Sequence, residues 1–317
     1  MSSDRHILAI GANPAWEKVL HFGVLRPGEV NRAGRCGGYP AGKAGNFCRA
    51  LQRLGGTPGR QLTFLGGLNG QRYLDACRQE GLECVAIDVP EETRCCINCV
   101  QEDGTMTELV EPGAPISPRA AADFRNQLVC EIPAAAALAI CGSIPKGTEE
   151  DFMEQIALYA GQAGLPLLVD NVDFCRRLRG NGDRIVVKIN ADEVRKCTGE
   201  ADVPSALRLL HEQFPRLSCG ITDGPGCAWL LDPFGGSIVR FELPRLESIV
   251  NPLGAGDTCS AVFISRLLDG FNAAEAFADA LCAASASCLT DICGDFSTQK
   301  ALELRMKTRW SDFLRFS

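Results

Sequence analysis

The chain has 317 residues, of which 46% are hydrophobic, with a formal net charge of −7 and a sequence pI near 5.2. A chain of this size can bury a large core. Its acidity, without any run of Lys or Arg, argues against nucleic acid or an anionic membrane surface as its main partner. Any anionic substrate must therefore meet cations that are placed locally in a site.

Seventeen cysteines are spread through apolar runs, where cysteine packs as a small hydrophobic residue. The segment Met1–Ile10 lacks a basic stretch followed by an apolar signal core, and no apolar run is long enough to span a membrane. We therefore expect a cytoplasmic protein with reduced thiols. The pair Cys96 and Cys99 has no second pair or nearby histidine, so we place it on a strand rather than at a metal.

Predicted strands and helices alternate along most of the chain. The strands lie near residues 7–10, 61–65, 137–141, 167–170, 184–188, 218–222 and 228–231. The helices follow the loop at 41–46 and lie near residues 71–80, 118–129, 148–163, 191–198 and 205–214, and two more close the core. This alternation predicts an α/β fold with a doubly wound, mostly parallel sheet and helices on both faces.

Two stretches depart from the alternation, at about residues 15–39 and 90–112. Both contain short strand-like segments. The second, with which we group the strand-like segment 85–88 just before it, has a hairpin turn at Asp103-Gly104. We predict that the two excursions pair as a small β lid. No repeat or linker divides the chain, so we expect a single domain over residues 1–317.

The segment Asn251–Thr258, with the sequence NPLGAGDT, is the strongest candidate for a catalytic centre. Gly254, Ala255 and Gly256 lead into an apolar helical run, so their N–H groups would lie at a helix start, which attracts anions. Asp257 would lie beside such an anion as a candidate base. An aspartate here is also a common helix cap, and the segment alone favours neither interpretation.

Other loops near strand ends carry groups suited to a ligand, since a doubly wound sheet binds ligands at the carboxyl ends of its strands. The loop Ala41–Asn46 brings Gly42, Lys43 and Asn46 to a helix start, where it would cover a polar or phosphorylated ligand or serve only as a capping turn. Arg94 would grip a phosphate with two N–H groups or be an exposed strand residue.

Three further loops complete the set. Ser143 lies in the loop Cys141–Gly147, which also suits a simple turn. Lys188, Asn190 and Glu193 combine a cation, an amide and a carboxylate, which suits nucleotide phosphates and Mg²⁺, although the last two alone would form a capping box. The third loop contains the candidate residues Thr222 and Gly224. A nucleotide could lie against its bare backbone, or the loop could be a plain hairpin turn.

The order and spacing of these motifs resemble the PfkB-type, or ribokinase-like, sugar kinases. Within them the chain is similar to the phosphosugar branch that contains 1-phosphofructokinase and tagatose-6-phosphate kinase. The resemblance runs from about Ile7 to Leu289. It rests on five segments that match, in order, the family patterns NPA(I/L)D, TR…dG…TE(L)nepGp, GSLPxG, KPNxxE and GAGD: Asn13–Ala15, Glu92–Gly113, Gly142–Gly147, Lys188–Glu193 and Asn251–Thr258.

The resemblance implies a ribokinase-like fold and ATP-dependent phosphorylation of a hydroxyl on a sugar phosphate. Asp257 would accept the hydroxyl proton beside an anion hole made by the amides of Gly254, Ala255 and Gly256. The residues implied for ATP and Mg²⁺ are Lys188, Asn190, Glu193, Thr222 and Gly224, with Asn190 and Glu193 reaching the metal partly through water.

On the acceptor side, the resemblance implies that sugar hydroxyls would meet Glu17, Gly42 and Asn46. The phosphate already on the sugar would meet Lys43, Arg94 and Ser143. The lids of this family often also pair two subunits, so the resemblance implies a homodimer through the β lid.

Several positions depart from the family pattern. Glu17 replaces an aspartate and is one methylene longer, Ala41 and Ala44 replace glycines, and Ile189 replaces a proline. These changes leave the groups for phosphoryl transfer in place and leave the acceptor open among fructose 1-phosphate, fructose 6-phosphate and tagatose 6-phosphate. Two alternatives remain: a kinase of an unphosphorylated sugar or nucleoside, and a non-catalytic sugar-phosphate sensor.

Overall fold

The structure, a computed structural model, describes residues 5–148, 151–178 and 182–316. In these ranges the strands are β1 (His6–Gly11), β2 (Ala15–Phe22), β3 (Arg35–Ala41), β4 (Gly59–Leu65), β5 (Glu83–Asp88), β6 (Cys95–Gln101), β7 (Met106–Val110), β8 (Ala135–Cys141), β9 (Leu167–Asp170), β10 (Ile185–Asn190), β11 (Ser218–Asp223), β12 (Cys227–Asp232), β13 (Ser237–Glu242) and β14 (Arg309–Arg315). The helices are α1 (Lys43–Leu54), α2 (Gly67–Glu80), α3 (Pro118–Glu131), α4 (Phe152–Gln162), α5 (Val172–Arg177), α6 (Ala191–Thr198), α7 (Val203–Gln213), α8 (Ala255–Leu268), α9 (Ala273–Ser287) and α10 (Thr298–Lys307).

The main sheet joins ten of the described strands in the order β14-β13-β12-β11-β10-β9-β8-β1-β4-β5. The neighbours from β5 to β11 pair in parallel, and β12, β13 and β14 add an antiparallel edge. The parallel strands end at one common edge. The loops that follow β1, β8, β9, β10 and β11 therefore lie together there.

Strand β1 shows how both faces of this sheet are buried. Its side chains alternate, so Ile7 and Ala9 pack in a cluster with α1, α8 and α9, whereas Leu8 and Ile10 pack in a second cluster with α3, α4 and α7. Burying each large aliphatic side chain contributes roughly 1.5–3 kcal/mol. These two cores confirm the predicted α/β fold with a mostly parallel sheet and helices on both faces.

A small sheet of four strands, in the order β3-β2-β6-β7, stands apart from the main sheet. Strand β2 pairs antiparallel with β3 and parallel with β6, so the two predicted β excursions do pair with each other. Residues Cys96 and Cys99 lie on β6, as predicted. The cysteines whose side chains the structure describes are free thiols.

The structure differs from the predicted elements at several places. The segment 85–88, which we grouped with the second excursion, belongs to β5 at the edge of the main sheet, where it pairs with β4. Strand β3 continues to Ala41, beyond the predicted end of the first excursion. The helix predicted over 148–163 is α4, which begins at Phe152, and residues 149–150 of that prediction lie outside the described ranges.

The sequence did not predict α5, β13, α10 or β14. Strand β14 is largely exposed and carries charged residues, so its sequence lacks the apolar alternation of a typical strand. It is a strand because its backbone pairs with β13 at the edge of the sheet. Within the described residues, the helices are all too short or too polar to cross a lipid bilayer.

Candidate active site

Two adjoining cavities open at the carboxyl ends of the parallel strands, and the first of them faces the small sheet. The first, of about 450 Å³, is lined by the predicted residues Glu17, Gly42, Lys43, Asn46, Arg94, Ser143, Lys188, Asn190, Glu193, Thr222, Gly254, Gly256 and Asp257. The second, of about 600 Å³, shares Thr222 and Gly256 with the first and also contains Gly224 and Ala255. The fold therefore gathers all the predicted site residues around one divided cleft.

The start of α8 lies at the boundary between the cavities. Gly254 precedes the helix with φ of 73°, a left-handed conformation that favours glycine, and a Cβ at this position would lie 2.6 Å from the Cβ of Cys293. The N–H groups of Ala255, Gly256 and Asp257 are the first of the helix and lack intrahelical acceptors. The segment thus presents bare N–H groups to the cleft.

Asp257 is buried, although it lines the first cavity. Its Oδ2 accepts a hydrogen bond of 2.8 Å from Nδ2 of Asn46 on α1. Removal from water and, to a smaller extent, the charge of Asp170 raise the pKa of the Asp257 carboxyl to about 7, against the opposing effect of Lys43. The helix cap is Gly254, so the carboxylate of Asp257 does not cap its own helix and remains available for chemistry.

A second buried carboxylate, that of Asp170 at the end of β9, was not among the predicted site residues. Its Oδ1 lies 2.6 Å from Nζ of Lys43, and its Oδ2 accepts a hydrogen bond of 3.2 Å from Ser260. Burial opposes the charge on Asp170, but the nearby ammonium groups of Lys43 and Lys188 hold its pKa below the ordinary value. An acid at the carboxyl end of a buried strand is the sequence signal that would have indicated it.

Lys188 lies in the buried part of β10 and lines the first cavity. A Cβ added to Gly256 would lie 2.9 Å from its Nζ, so the ammonium group lies directly over the first turn of α8. Within the described residues, no hydrogen bond or ion pair engages this Nζ. The cleft therefore combines bare N–H groups and a buried cation at one point, which favours binding of an anion.

Asn190 and Glu193 form the capping box that the sequence left as an alternative. Oδ1 of Asn190 accepts from the N–H of Glu193 at 2.9 Å, and Oε2 of Glu193 accepts from the N–H of Asn190 at 2.9 Å. Both residues still line the first cavity. The box holds one amide and one carboxylate in fixed positions at the carboxyl edge of the sheet.

The second cavity has mostly apolar walls, formed by Leu243, Leu246, Ile249, Pro252, Leu281 and Ala284. It is also lined by Thr222, near the end of β11, and by Gly224, in the hairpin turn that joins β11 to the antiparallel β12. The hairpin that the sequence offered as an alternative is therefore present, and its bare backbone borders this cavity. Such a cavity can hold a flat, weakly polar group beside the anion site.

The small sheet supplies the opposite wall of the first cavity. Glu17 is buried there, and burial raises the pKa of its carboxyl. Arg94 donates from its Nη2 to the carbonyl oxygen of Asn13 at 3.1 Å and from its Nε to that of Pro14 at 3.2 Å. Nδ2 of Asn13 donates to Oγ of Ser143 at 3.0 Å. Arg94, Asn13 and Ser143 thus form one polar end of the cavity.

The departures from the family pattern lie in different environments. Ala41 and Ile189 are buried in the apolar cores, and the methyl group of Ala44 packs against the backbone of Gly11. Among the described residues that line the two cavities, Glu17 is present and those three are not. Glu17 is therefore the departure that can act directly on a ligand.

The family model described as pfkB family carbohydrate kinase matches residues 5–300. The fold is similar to that of Escherichia coli phosphofructokinase-2, solved with substrates and products, with a TM-score of 0.85 and 20% identity over 95% of this chain and 99% of that one. It is also similar to a Thermotoga maritima protein named as a possible 1-phosphofructokinase, with a TM-score of 0.81 and 19% identity over 98% of this chain and 100% of that one.

The family model covers nearly the whole chain, including both sheets and the start of α8. The similar solved structures share the large, mostly parallel sheet with a separate small one, which confirms the expected ribokinase-like fold. The chain therefore belongs to the pfkB family of carbohydrate kinases, which are phosphotransferases that act on an alcohol group.

Proposed function

We propose that this protein transfers the γ-phosphoryl group of ATP to a hydroxyl of a ketohexose phosphate, such as fructose 1-phosphate, fructose 6-phosphate or tagatose 6-phosphate. The observation that supports this most is the position of Asp257. Its carboxylate lies at the start of α8, in a polar cavity that adjoins an apolar one. An acceptor and a nucleotide could therefore meet at that carboxylate.

The second cavity suits the nucleoside part of ATP. Its apolar walls would hold the base, and the shared residues Thr222 and Gly256 would border the phosphates as they pass toward the first cavity. The N–H groups at the start of α8 and the ammonium of Lys188 would bind the γ-phosphoryl oxygens. Because these groups are fixed before the reaction, they stabilise the developing charge without rearrangement.

The chain's own donors fit a Mg²⁺ ion that is bound mainly through water and phosphate. Within the described residues no cluster of three His, Cys, Asp or Glu side chains could hold a metal alone. The capping box instead places one amide and one carboxylate, Asn190 and Glu193, at the cavity. Mg²⁺ usually takes one or two protein carboxylates beside phosphate oxygens and water, and it would neutralise phosphate charge here.

Asp257 would accept the proton of the attacking hydroxyl. The hydrogen bond from Asn46 fixes the orientation of its carboxylate, so one oxygen is held and the other can meet the acceptor. Its pKa of about 7 matches a general base that works near neutral pH. Closure of the small sheet over the acceptor would exclude water and so limit hydrolysis of ATP.

The phosphate already on the acceptor would bind at the end of the cavity formed by Arg94, Asn13 and Ser143. Lys43 would contribute less than the sequence suggests, because its ammonium already pairs with Asp170. An unphosphorylated sugar or nucleoside would leave Arg94 without an anion. Arg94→Gln should therefore raise the acceptor KM at least tenfold and leave the ATP KM within about twofold.

Arg119→Gln serves as the control for this variant, since Arg119 is exposed on α3 and lines neither cavity. An unchanged acceptor KM in Arg94→Gln would favour an unphosphorylated acceptor.

The broader test is a screen for ADP formation over free sugars, ketohexose phosphates and nucleosides, with Asp257→Asn as the blank. If no acceptor yields ADP above that blank, the protein is a non-catalytic sensor rather than a kinase.

We also propose that two copies pair through the outer face of the small sheet, which we define by Trp16, Leu20, Ile97 and Leu109. Side chains alternate along β2, so Glu17 and Val19 face inward, while Trp16 and Leu20 face outward on either side of the exposed Lys18. Ile97 pairs with Lys18, and Leu109 pairs with Ile97, so both also lie on the outer face, and these residues are partly or largely exposed. An exposed apolar patch commonly marks a protein interface.

The cytoplasmic location remains a prediction from the sequence.

A further inference from the structure

The carboxylate of Glu17 is held by three donors that the motifs did not indicate. Its Oε1 accepts hydrogen bonds from the hydroxyl of Tyr39, from Nδ2 of Asn98 at 2.7 Å and from Sγ of Cys293 at 3.7 Å. Tyr39 lies on β3, Asn98 on β6, and Cys293 in the turn after α9. Three separate parts of the chain therefore converge on one oxygen atom.

All three donors are buried, with exposed fractions of 6% for Tyr39, 0% for Asn98 and 2% for Cys293. Water cannot readily replace a donor that is lost from such a place, so each bond matters more than one at the surface. Oδ1 of Asn98 has no partner within the described residues, so its bond to Glu17 is what orients this amide.

The cluster is also tied to the segment that begins α8. Nδ2 of Asn251 donates to Sγ of Cys293 at 3.7 Å and to the carbonyl oxygen of Asp291 at 2.9 Å. The Cβ of Cys293 lies against Gly254, where a side chain would not fit. These contacts therefore fix the position of Glu17 relative to the start of α8, which lies on the far side of the same cavity.

With Oε1 occupied, the hydrogen-bonding capacity that remains to Glu17 is on Oε2, for which the described part of the chain provides no hydrogen-bond donor. Glu17 lines the first cavity, so this oxygen is available to a ligand there. A glutamate has one more rotatable bond than the aspartate of the family pattern. Its carboxylate would be mobile unless neighbouring groups fixed it.

We propose that Tyr39, Asn98 and Cys293 are positioning residues that fix the carboxylate of Glu17 so that its free oxygen accepts a hydrogen bond from an acceptor hydroxyl. This inference rests on the proposed function, because it concerns the acceptor of that reaction. It assigns acceptor recognition to a cluster drawn from β2, β3, β6 and the turn after α9, rather than to Glu17 alone.

A second carboxylate gives this wall its chemical preference. Glu108 on β7 lies opposite Asn98 in the register of the small sheet and lines the same cavity. Its charge acts with burial to raise the pKa of Glu17, so the two carboxylates influence each other. A wall with two acidic side chains favours hydroxyl donors and disfavours an anion. The acceptor would therefore present its hydroxyls here and its phosphate at the end formed by Arg94, Asn13 and Ser143.

The test compares Tyr39→Phe with the wild type and with Tyr159→Phe, which makes the same change on α4, away from both cavities. In Tyr39→Phe the acceptor KM should rise about tenfold, while kcat and the ATP KM stay within about threefold. Cys293→Ser keeps a donor and should change the acceptor KM less than Cys293→Ala does. Thermal melting of each variant shows whether it is folded at the assay temperature.

A second readout does not depend on activity. Infrared titration of the carboxylates, with Glu17→Gln to identify the band of Glu17, should show a higher midpoint in Tyr39→Phe, since the lost hydrogen bond favoured the charged form. An unmoved midpoint overturns the proposal, and so does an unmoved acceptor KM in an active enzyme. If the wild type phosphorylates no acceptor, the proposed function fails, and the midpoint alone decides whether these residues position Glu17.

Discussion

Asp257 and Asp170 show how neighbouring groups give two buried aspartates different properties. Asp170 pairs with the ammonium of Lys43 and accepts from Ser260, so its pKa stays below the ordinary value. Among the described side chains, Asp257 accepts only from the neutral amide of Asn46, and its burial raises its pKa to about 7. The first is thus a permanent charge, and the second can exchange a proton near neutral pH.

Asp257→Asn should lower kcat roughly 10²- to 10⁴-fold, because it removes the general base.

In the wild type, kcat/KM should fall as the pH drops below about 7, since the carboxyl then becomes protonated and cannot accept the hydroxyl proton. A pH profile of initial rates measures this. Asp75→Asn, an exposed change on α2, is the control and should leave the pH profile unchanged. A wild-type profile that is flat between about pH 6 and 8 would contradict the assignment of Asp257 as the general base.

Asp170→Asn should move the acidic limb of the same profile to lower pH. The charge of Asp170 raises the pKa of Asp257, and its removal also frees Lys43, whose ammonium lowers that pKa. Both effects have the same sign. A limb that moved to higher pH, or did not move in a folded variant, would show that the two carboxyls are not coupled in this way.

At the scale of elements, the start of α8 depends on close backbone packing. Gly254 has a left-handed conformation and lies against the turn that contains Cys293. The sequence predicted the helix and the glycine turn before it, because apolar periodicity and glycine are local signals. It did not predict the contact with the turn after α9, since that contact arises only when α8 and α9 pack together.

Gly254→Ala should destabilise the protein more than Gly270→Ala does. Both glycines are left-handed, with φ of 73° and 88°, so each change introduces roughly 1–2 kcal/mol of backbone strain. Only at Gly254 does the new methyl also meet Cys293, whereas nothing lies within 4 Å of a Cβ at Gly270. Thermal or urea unfolding measures the difference. Equal losses of stability would mean that the contact with Cys293 is easily relieved.

The elements that the sequence missed lack local signals of their own. Strand β14 carries charged residues and is defined by its pairing with β13, and the second excursion could not be separated from β5 by pattern alone. In contrast, the buried strands β1 and β8 are continuous apolar runs and were predicted to within a few residues. Burial on both faces of a sheet leaves a clear pattern, and pairing at an edge does not.

At the scale of the whole molecule, the predicted site residues come together because a parallel sheet places its strand ends at one edge. Lys188, Asp257 and Asn46 are far apart in sequence and line one cavity for this reason. The cluster around Glu17 was not predictable in the same way. Tyr39, Asn98 and Cys293 match no pattern, and their approach depends on how the small sheet lies against the turn after α9.

Leu109→Lys should convert a dimer to a monomer if two copies pair through the outer face of the small sheet, because it places a charge in an apolar contact. Leu109 is 54% exposed in the single chain. Leu302→Lys, at an exposed position on α10, is the matched control and should leave the mass unchanged. Analytical ultracentrifugation gives the mass of each variant, and a dimer in both variants would place the interface elsewhere.

The central claim is that Asp257 and the N–H groups at the start of α8 catalyse transfer of a phosphoryl group from ATP to a ketohexose phosphate. ³¹P NMR of the reaction tests this most directly. The protein is mixed with ATP, Mg²⁺ and each of the three ketohexose phosphates. We predict that the signal of the γ-phosphorus is replaced by that of a new phosphate ester with the wild type, and at a far lower rate with Asp257→Asn. Release of inorganic phosphate alone, or equal rates for the two proteins, would contradict the account.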